Sequence, residues 1–160
     1  MIVIGIGNDL RRDDGAGPAV IDELRRRDLD DVTLAVSDGE PAGLIDLWAP
    51  ADLAVIVDAV RSSEGRAGRV RRLVTIDDGR PAPSSHALGL IEATRLGEAL
   101  DRMPARLRIY VIEGADFGYG PGLSPPVTRA VTEVADQIAA LRRATNQSAA
   151  DRGEGEGPSR

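Results

Sequence analysis

Leu53-Ala54-Val55-Ile56-Val57 is an unbroken apolar run, nearly all β-branched or leucine, and it closes on a carboxylate, Asp58. A run with no polar face reads as a strand covered on both sides, the kind found inside a parallel sheet. The chain opens with the same signature, Ile2-Val3-Ile4-Gly5-Ile6, stopped by Gly7-Asn8. Helical and strand patterns alternate around these two runs. Val20, Ile21 and Leu24 form one stripe on a helix from Ala16 to Arg27, with Pro18 in its first turn, where a missing N–H does no harm. Val32 to Val36 reads as a strand stopped by Ser37-Asp38-Gly39, and Pro41 opens a short helix carrying Leu44, Leu47 and Trp48. Gly68 to Ile76 is a weaker strand whose arginines suit a sheet edge. His86 to Leu100 is a helix that Ser84 or Ser85 is placed to cap. Leu107, Ile109 and Val111 alternate in a strand from Arg106 to Ile112, and a Gly- and Pro-rich loop runs from Glu113 to Pro125. Val127, Val131, Val134, Ile138 and Leu141 then mark a final amphipathic helix. Such alternation predicts a three-layer α/β fold with a mostly parallel sheet. Residues 1–143 make one domain; residues 144–160, without an apolar anchor, read as a disordered polar tail.

Composition removes many chemistries. The 160 residues carry 20 basic and 26 acidic side chains, a net charge of −6 that argues against a nucleic-acid partner. With no cysteine there is no thiol nucleophile, disulfide or thiolate metal site. Every basic residue is arginine, which removes Schiff-base chemistry and the P-loop lysine. His86 is the only histidine, so no site within one chain can use two imidazoles. No apolar run approaches the roughly 20 residues of a membrane span, and the first residues lack the basic start of a signal peptide. A cytoplasmic protein is the expectation, with no membrane partner and no organic cofactor.

Three residues gain meaning from their place in the sheet. Asp14 follows the first strand, Asp58 ends the third, and His86 opens a helix that leaves from the same side. Each has an ordinary explanation: Asp13-Asp14-Gly15 as a turn, Asp58 as a strand-exit cap, His86 as a locally bonded helix start. In a parallel sheet, however, all three fall on the carboxyl edge, where ligands bind in open α/β folds. Two carboxylates and an imidazole suit a divalent ion such as Ni, Zn, Mn or Fe, with positions left open for water or substrate. Gly5-Ile6-Gly7 also invites a dinucleotide reading, but the third glycine of that fingerprint would fall on Leu10. No Gly-x-Ser-x-Gly elbow occurs anywhere.

Gly5-x-Gly7-Asn8 with Asp13-Asp14-Gly15-x-Gly17, then Ser37-Asp38-Gly39 with Gly43, Asp58-Ala59, Ser85-His86 and Gly122-Leu123-Ser124-Pro125, resembles the [NiFe]-hydrogenase maturation endopeptidases over residues 1–143. Glu113-Gly114 stands where several members carry a Pro-bearing turn. The resemblance implies a mixed five-stranded sheet in an α/β/α sandwich, with one antiparallel strand, for which the arginine-bearing strand from Gly68 is the candidate. It implies removal of a C-terminal extension from a hydrogenase large-subunit precursor once nickel is in place. It also implies that Asp14, Asp58 and His86 recognise Ni(2+), brought by the precursor, and that Asp38 lines the same cleft. A monomer acting on that precursor is expected. With no cysteine, lysine or serine elbow, hydrolysis must use water, a divalent ion polarising the scissile carbonyl or the water itself. The rivals are a non-catalytic nickel-sensing chaperone with the same ligands and a phosphorylase- or hydrolase-like small-molecule enzyme.

Overall fold

A computed structural model describes residues 1–62, 65–73 and 85–153. The five strands are β1 (Ile2–Ile6), β2 (Thr33–Ser37), β3 (Leu53–Arg61), β4 (Val70–Leu73) and β5 (Arg106–Gly114). The helices are α1 (Ala16–Arg26), α2 (Pro41–Trp48), α3 (Ser85–Ala99) and α4 (Pro125–Gly153), and a 3-10 turn, Arg12–Gly15, precedes α1. The strands lie in the order β2-β1-β3-β5-β4. All pairings are parallel except that of β4, which runs antiparallel along β5 with Val70 opposite Ile112 and Leu73 opposite Ile109. The arginine-bearing strand is thus the antiparallel edge. Its extension beyond Leu73 and the capping serine Ser84 lie outside the described residues.

The unbroken apolar runs follow from cover on both faces. Val55, Val57 and Ala59 pack with α1 and α4 through Val20, Ile21, Leu24, Val127, Val134 and Ile138. Ala54, Ile56 and Val60 pack with α2 and α3 through Leu44, Ile45, Trp48, Leu90 and Ala93. No strand residue between Leu53 and Val60 meets solvent appreciably, so an alternating polar face has no place there. The helix α1 sits tight on the sheet because Gly17 has no Cβ: one placed there would collide with the backbone of Ile6 on β1 and approach Val57 O on β3 at 2.8 Å.

Two expectations are corrected. First, β3 does not end at Asp58. It pairs with β5 from Leu53 opposite Arg106 to Arg61 opposite Gly114, so the ladder carries both strands past their apolar runs. On its other side β1 accompanies β3 only as far as Gly5 opposite Val57. Asp58 therefore sits inside β3 just where β1 has left it. Second, residues 144–153 are not a disordered tail, because α4 continues to Gly153. Polarity removes a core anchor but does not stop a helix, and Ala144, Gln147, Ala149, Ala150 and Arg152 are adequate helix formers. Thr145 Oγ1 donates back to Leu141 O at 2.9 Å within that extension. No helix among the described residues is long and apolar enough to cross a membrane.

Candidate active site at the carboxyl edge of the sheet

The chain leaves β1 through α1 to β2 on one side, and then through α2 to β3 on the other. The carboxyl ends of β1 and β3 are therefore a topological switch point, where a crevice forms because the two connections diverge. Asp14 follows β1 and Asp58 lies on β3, so the sequence places one carboxylate on each side of that crevice. Asp58 is 2% exposed, and its Oδ1 accepts the N–H of Ala59 at 2.8 Å. By strand alternation it shares the face of Ile56 and Val60, which is the face covered by α2 and α3.

Asp14 is also buried, within the 3-10 turn, and accepts the N–H of Asn8 at 3.2 Å. Gly7 makes this possible. It has φ of 139°, and a Cβ there would collide with the Asp14 carbonyl. Only glycine tolerates both that conformation and that approach. Asp38 is exposed at the same edge, after β2, where its Oδ1 accepts Glu40 N at 3.1 Å. Gly7 N donates to Ser37 O at 3.1 Å and holds the ends of β1 and β2 level. His86 stands in the first turn of α3. Gly89, one turn further along α3, packs directly on the carbonyl of Gly39, so the start of α3 lies beside the loop that carries Asp38. The His86 side chain, and with it the expected gathering of three ligands, lies outside the described residues. Among the described residues, no three His, Cys, Asp or Glu side chains form a metal cage.

Two further carboxylates, which the sequence reading left within a turn and at a loop start, are buried. Asp13 is fully buried and accepts four hydrogen bonds: from Ala115 N at 2.9 Å, Asp116 N at 3.0 Å, Ser124 N at 2.7 Å and Ser124 Oγ at 3.0 Å. Burial pushes its pKa up, but donation from the backbones of Asp116, Ser124 and Ala115 and from the Ser124 hydroxyl outweighs that and holds the carboxyl below its ordinary value. Asp13 and Asp14 are neighbours with different work. One ties the loop after β5 to the turn, and the other accepts the N–H of Asn8 at the end of β1. The Ser124 of the Gly122-Leu123-Ser124-Pro125 motif is the far end of that tie. Glu113 is the second, accepting Ser62 Oγ at 3.0 Å and lying 3.2 Å from Arg71 Nε on β4. It stands on the same sheet face as Asp58, beside Val60, and joins the antiparallel edge strand to the site's margin.

The carboxyl edge of the sheet thus carries buried Asp14 and Asp58 and exposed Asp38. It offers no thiol or amine for covalent catalysis. The family model described as "HycI: Hydrogenase maturation protease" matches residues 18–141. The hydrogenase expression/formation protein HupD of Bradyrhizobium diazoefficiens is 30% identical over 135 residues, covering 79% of this chain and 69% of that protein. The hydrogenase 2 maturation protease of Escherichia coli is 25% identical over 159 residues, 95% of this chain and 96% of its own length. The solved structure of the hydrogenase maturating endopeptidase HybD from E. coli superimposes with a TM-score of 0.76 at 26% identity, covering 89% of this chain and 92% of that one. The match runs from the helix that follows Asp14 to the last apolar turns of α4, and with it the chain belongs to the hydrogenase maturation proteases, peptide hydrolases of hydrogenase assembly.

Proposed function

We propose that this endopeptidase removes the C-terminal extension of a nickel-loaded hydrogenase large-subunit precursor, and that Asp14, Asp58 and His86 recognise the Ni(2+) the precursor carries. The observation that carries this reading is the pair of buried carboxylates on either side of the switch point, one from the turn after β1 and one within β3. A divalent ion brought by the substrate suits two oxygen donors and one imidazole. On this reading the metal is part of the substrate, and only a correctly loaded precursor completes the site.

The chain's own groups then do three things. Asp14 and Asp58 place the nickel-bearing segment against the edge of β3. The wall made by α2 and α3 keeps bulk solvent from the inner side of Asp58. A carboxylate of the site, Asp38 among the candidates, takes the proton of the attacking water, since the chain lacks lysine and cysteine to do so. Nickel supplies Lewis acidity toward the scissile carbonyl. The protein acts as a monomer in the cytoplasm, where the precursor is assembled.

Co-expression of the chain with its precursor, followed by intact-mass measurement, tests this. Loss of a C-terminal fragment from nickel-loaded but not nickel-free precursor is expected. A stable complex with an uncut precursor would instead assign the chain to holding the subunit without cleaving it.

A further inference from the structure

The loop after β5 and the loop after β1 are stitched into one lip beside Asp14. Arg12 N donates to Gly120 O and Gly120 N to Leu10 O, both at 2.9 Å, and Asp13 N donates to Asp116 O at 2.9 Å. The Asp13 carboxylate closes the same seam from within. Arg12 and Asp116 add an ion pair at 3.1 Å. The lip even holds Arg12 at φ of 48°, a conformation that non-glycine residues seldom adopt. A seam so heavily bonded has its shape fixed before anything binds.

Yet this rigid lip leaves two large apolar side chains in water. Tyr119 is 87% exposed and Leu10 63% exposed, the two highest values among the exposed large hydrophobic residues. Their segments are joined directly by the Gly120 N to Leu10 O bond. The chain has four aromatic residues. Trp48 and Tyr110 are in the core, Phe117 packs against it, and Tyr119 alone is displayed, with the Arg11 guanidinium 5.7 Å from its ring centre. The cations here are engaged: Arg12 by Asp116, Arg11 by the Tyr119 ring. The charges beside the two apolar side chains are thus paired or stacked within the lip. Aromatic anchors on a preorganised support are what binding hot spots use.

We propose that Leu10 and Tyr119 form a docking lip for an apolar segment of the precursor polypeptide. The proposal rests on the precursor-processing reading above. The occupant follows from continuity with the site: Arg11, next to Leu10, accepts the N–H of Asp14 on its carbonyl at 3.1 Å. An extended chain advances about 3.3 Å per residue, so a polypeptide presenting a bond near Asp14 meets this lip within a few residues of that bond. Docking there raises the local concentration of the scissile segment without touching the reacting atoms.

The test compares wild-type chain, the Leu10→Ser/Tyr119→Ser double variant, and Leu96→Ser as a control at an exposed leucine of α3. Precursor binding and precursor cleavage are measured separately. Both lip residues are exposed, so the melting temperature is expected to hold. The double variant is expected to weaken precursor binding by about tenfold or more, raising KM with kcat little changed, while Leu96→Ser matches wild type. Unchanged precursor affinity in the double variant overturns the docking lip, whether or not the wild type cuts. Failure of the wild type to cut overturns the functional assignment alone. A light-scattering mass of two chains for wild type, falling to one for the double variant, would assign the lip to a second copy of this chain and overturn the proposal.

Discussion

Adjacent substitutions of two like residues should separate structure from function here. Asp13→Asn and Asp14→Asn change the same atom in neighbouring side chains. Asp13 takes four donors on its two oxygens, three on Oδ2 and one on Oδ1. An asparagine offers one acceptor oxygen and turns an NH2 toward an N–H. Set in the Oδ2 place, that oxygen keeps its three donors without the charge that strengthened them, while the NH2 faces Ser124 N, which loses its partner. Such a loss costs about 1–3 kcal/mol. Ser124 N is partly buried, which favours the lower half of the range, and the weakening of three charge-assisted bonds brings the total to about 3 kcal/mol. For a domain of this size each kcal/mol moves the melting temperature by about 2–4 °C, so Asp13→Asn should melt roughly 6–12 °C below wild type. Asp14→Asn retains an oxygen for the Asn8 N–H, and its melting temperature should stay within about 3 °C. Its cleavage of the nickel-loaded precursor should nevertheless collapse. Thermal denaturation followed by circular dichroism, with intact-mass analysis of the precursor, gives both numbers. An Asp13→Asn protein that melts with wild type, or an Asp14→Asn protein that cleaves normally, would refute the division of labour between the two carboxylates.

Further outcomes follow from the same geometry. Because the folded-state pKa of Asp13 is depressed, its stabilising contribution is complete above the unfolded value of about 3.9 and disappears as pH falls through the folded value. The melting-temperature gap between wild type and Asp13→Asn should therefore be constant above about pH 5 and shrink below about pH 4; a gap that widens in acid would contradict the sign. Gly17→Ala puts a Cβ into the backbones of β1 and β3 and should cost about 3 kcal/mol or more, read as a lower denaturation midpoint at unchanged slope. His86→Ala removes the only imidazole and should abolish processing while far-UV circular dichroism stays native. Truncation before Val131 removes Val134 and Ile138 from the core and should unfold the chain. Removal of 148–160 should leave precursor cleavage intact, and a large loss there would place those residues at the substrate.

Much of this protein was already set by the order of its residues. Uninterrupted apolar runs at Ile2–Ile6 and Leu53–Val57 can be satisfied only by cover on both faces, which makes the sheet central and the fold layered. Parallel connection then carries the segments after β1 and β2 and the far half of β3 toward one edge, so Asp14, Asp38 and Asp58 can be assigned to that side from the sequence. Arginines on a short strand announce an edge, and β4 is one. What only the tertiary structure decides is which partner each polar group finds. Asp13 and Asp14 are identical in type and adjacent in sequence, and nothing local assigns one to a knot with Ser124, 111 residues away, and the other to the N–H of Asn8. Glu113 finds its partners only when Arg71 arrives from β4 and Ser62 from just past the end of β3. The reach of β3 past Asp58 depends on β5 being equally long. The length of α4 follows from helix propensity that continues after the apolar stripe has ended. Periodicity reports which face of an element is buried, because burial repeats along the chain. A hydrogen bond between segments a hundred residues apart leaves no such repeat, and only the folded backbone brings its two ends together.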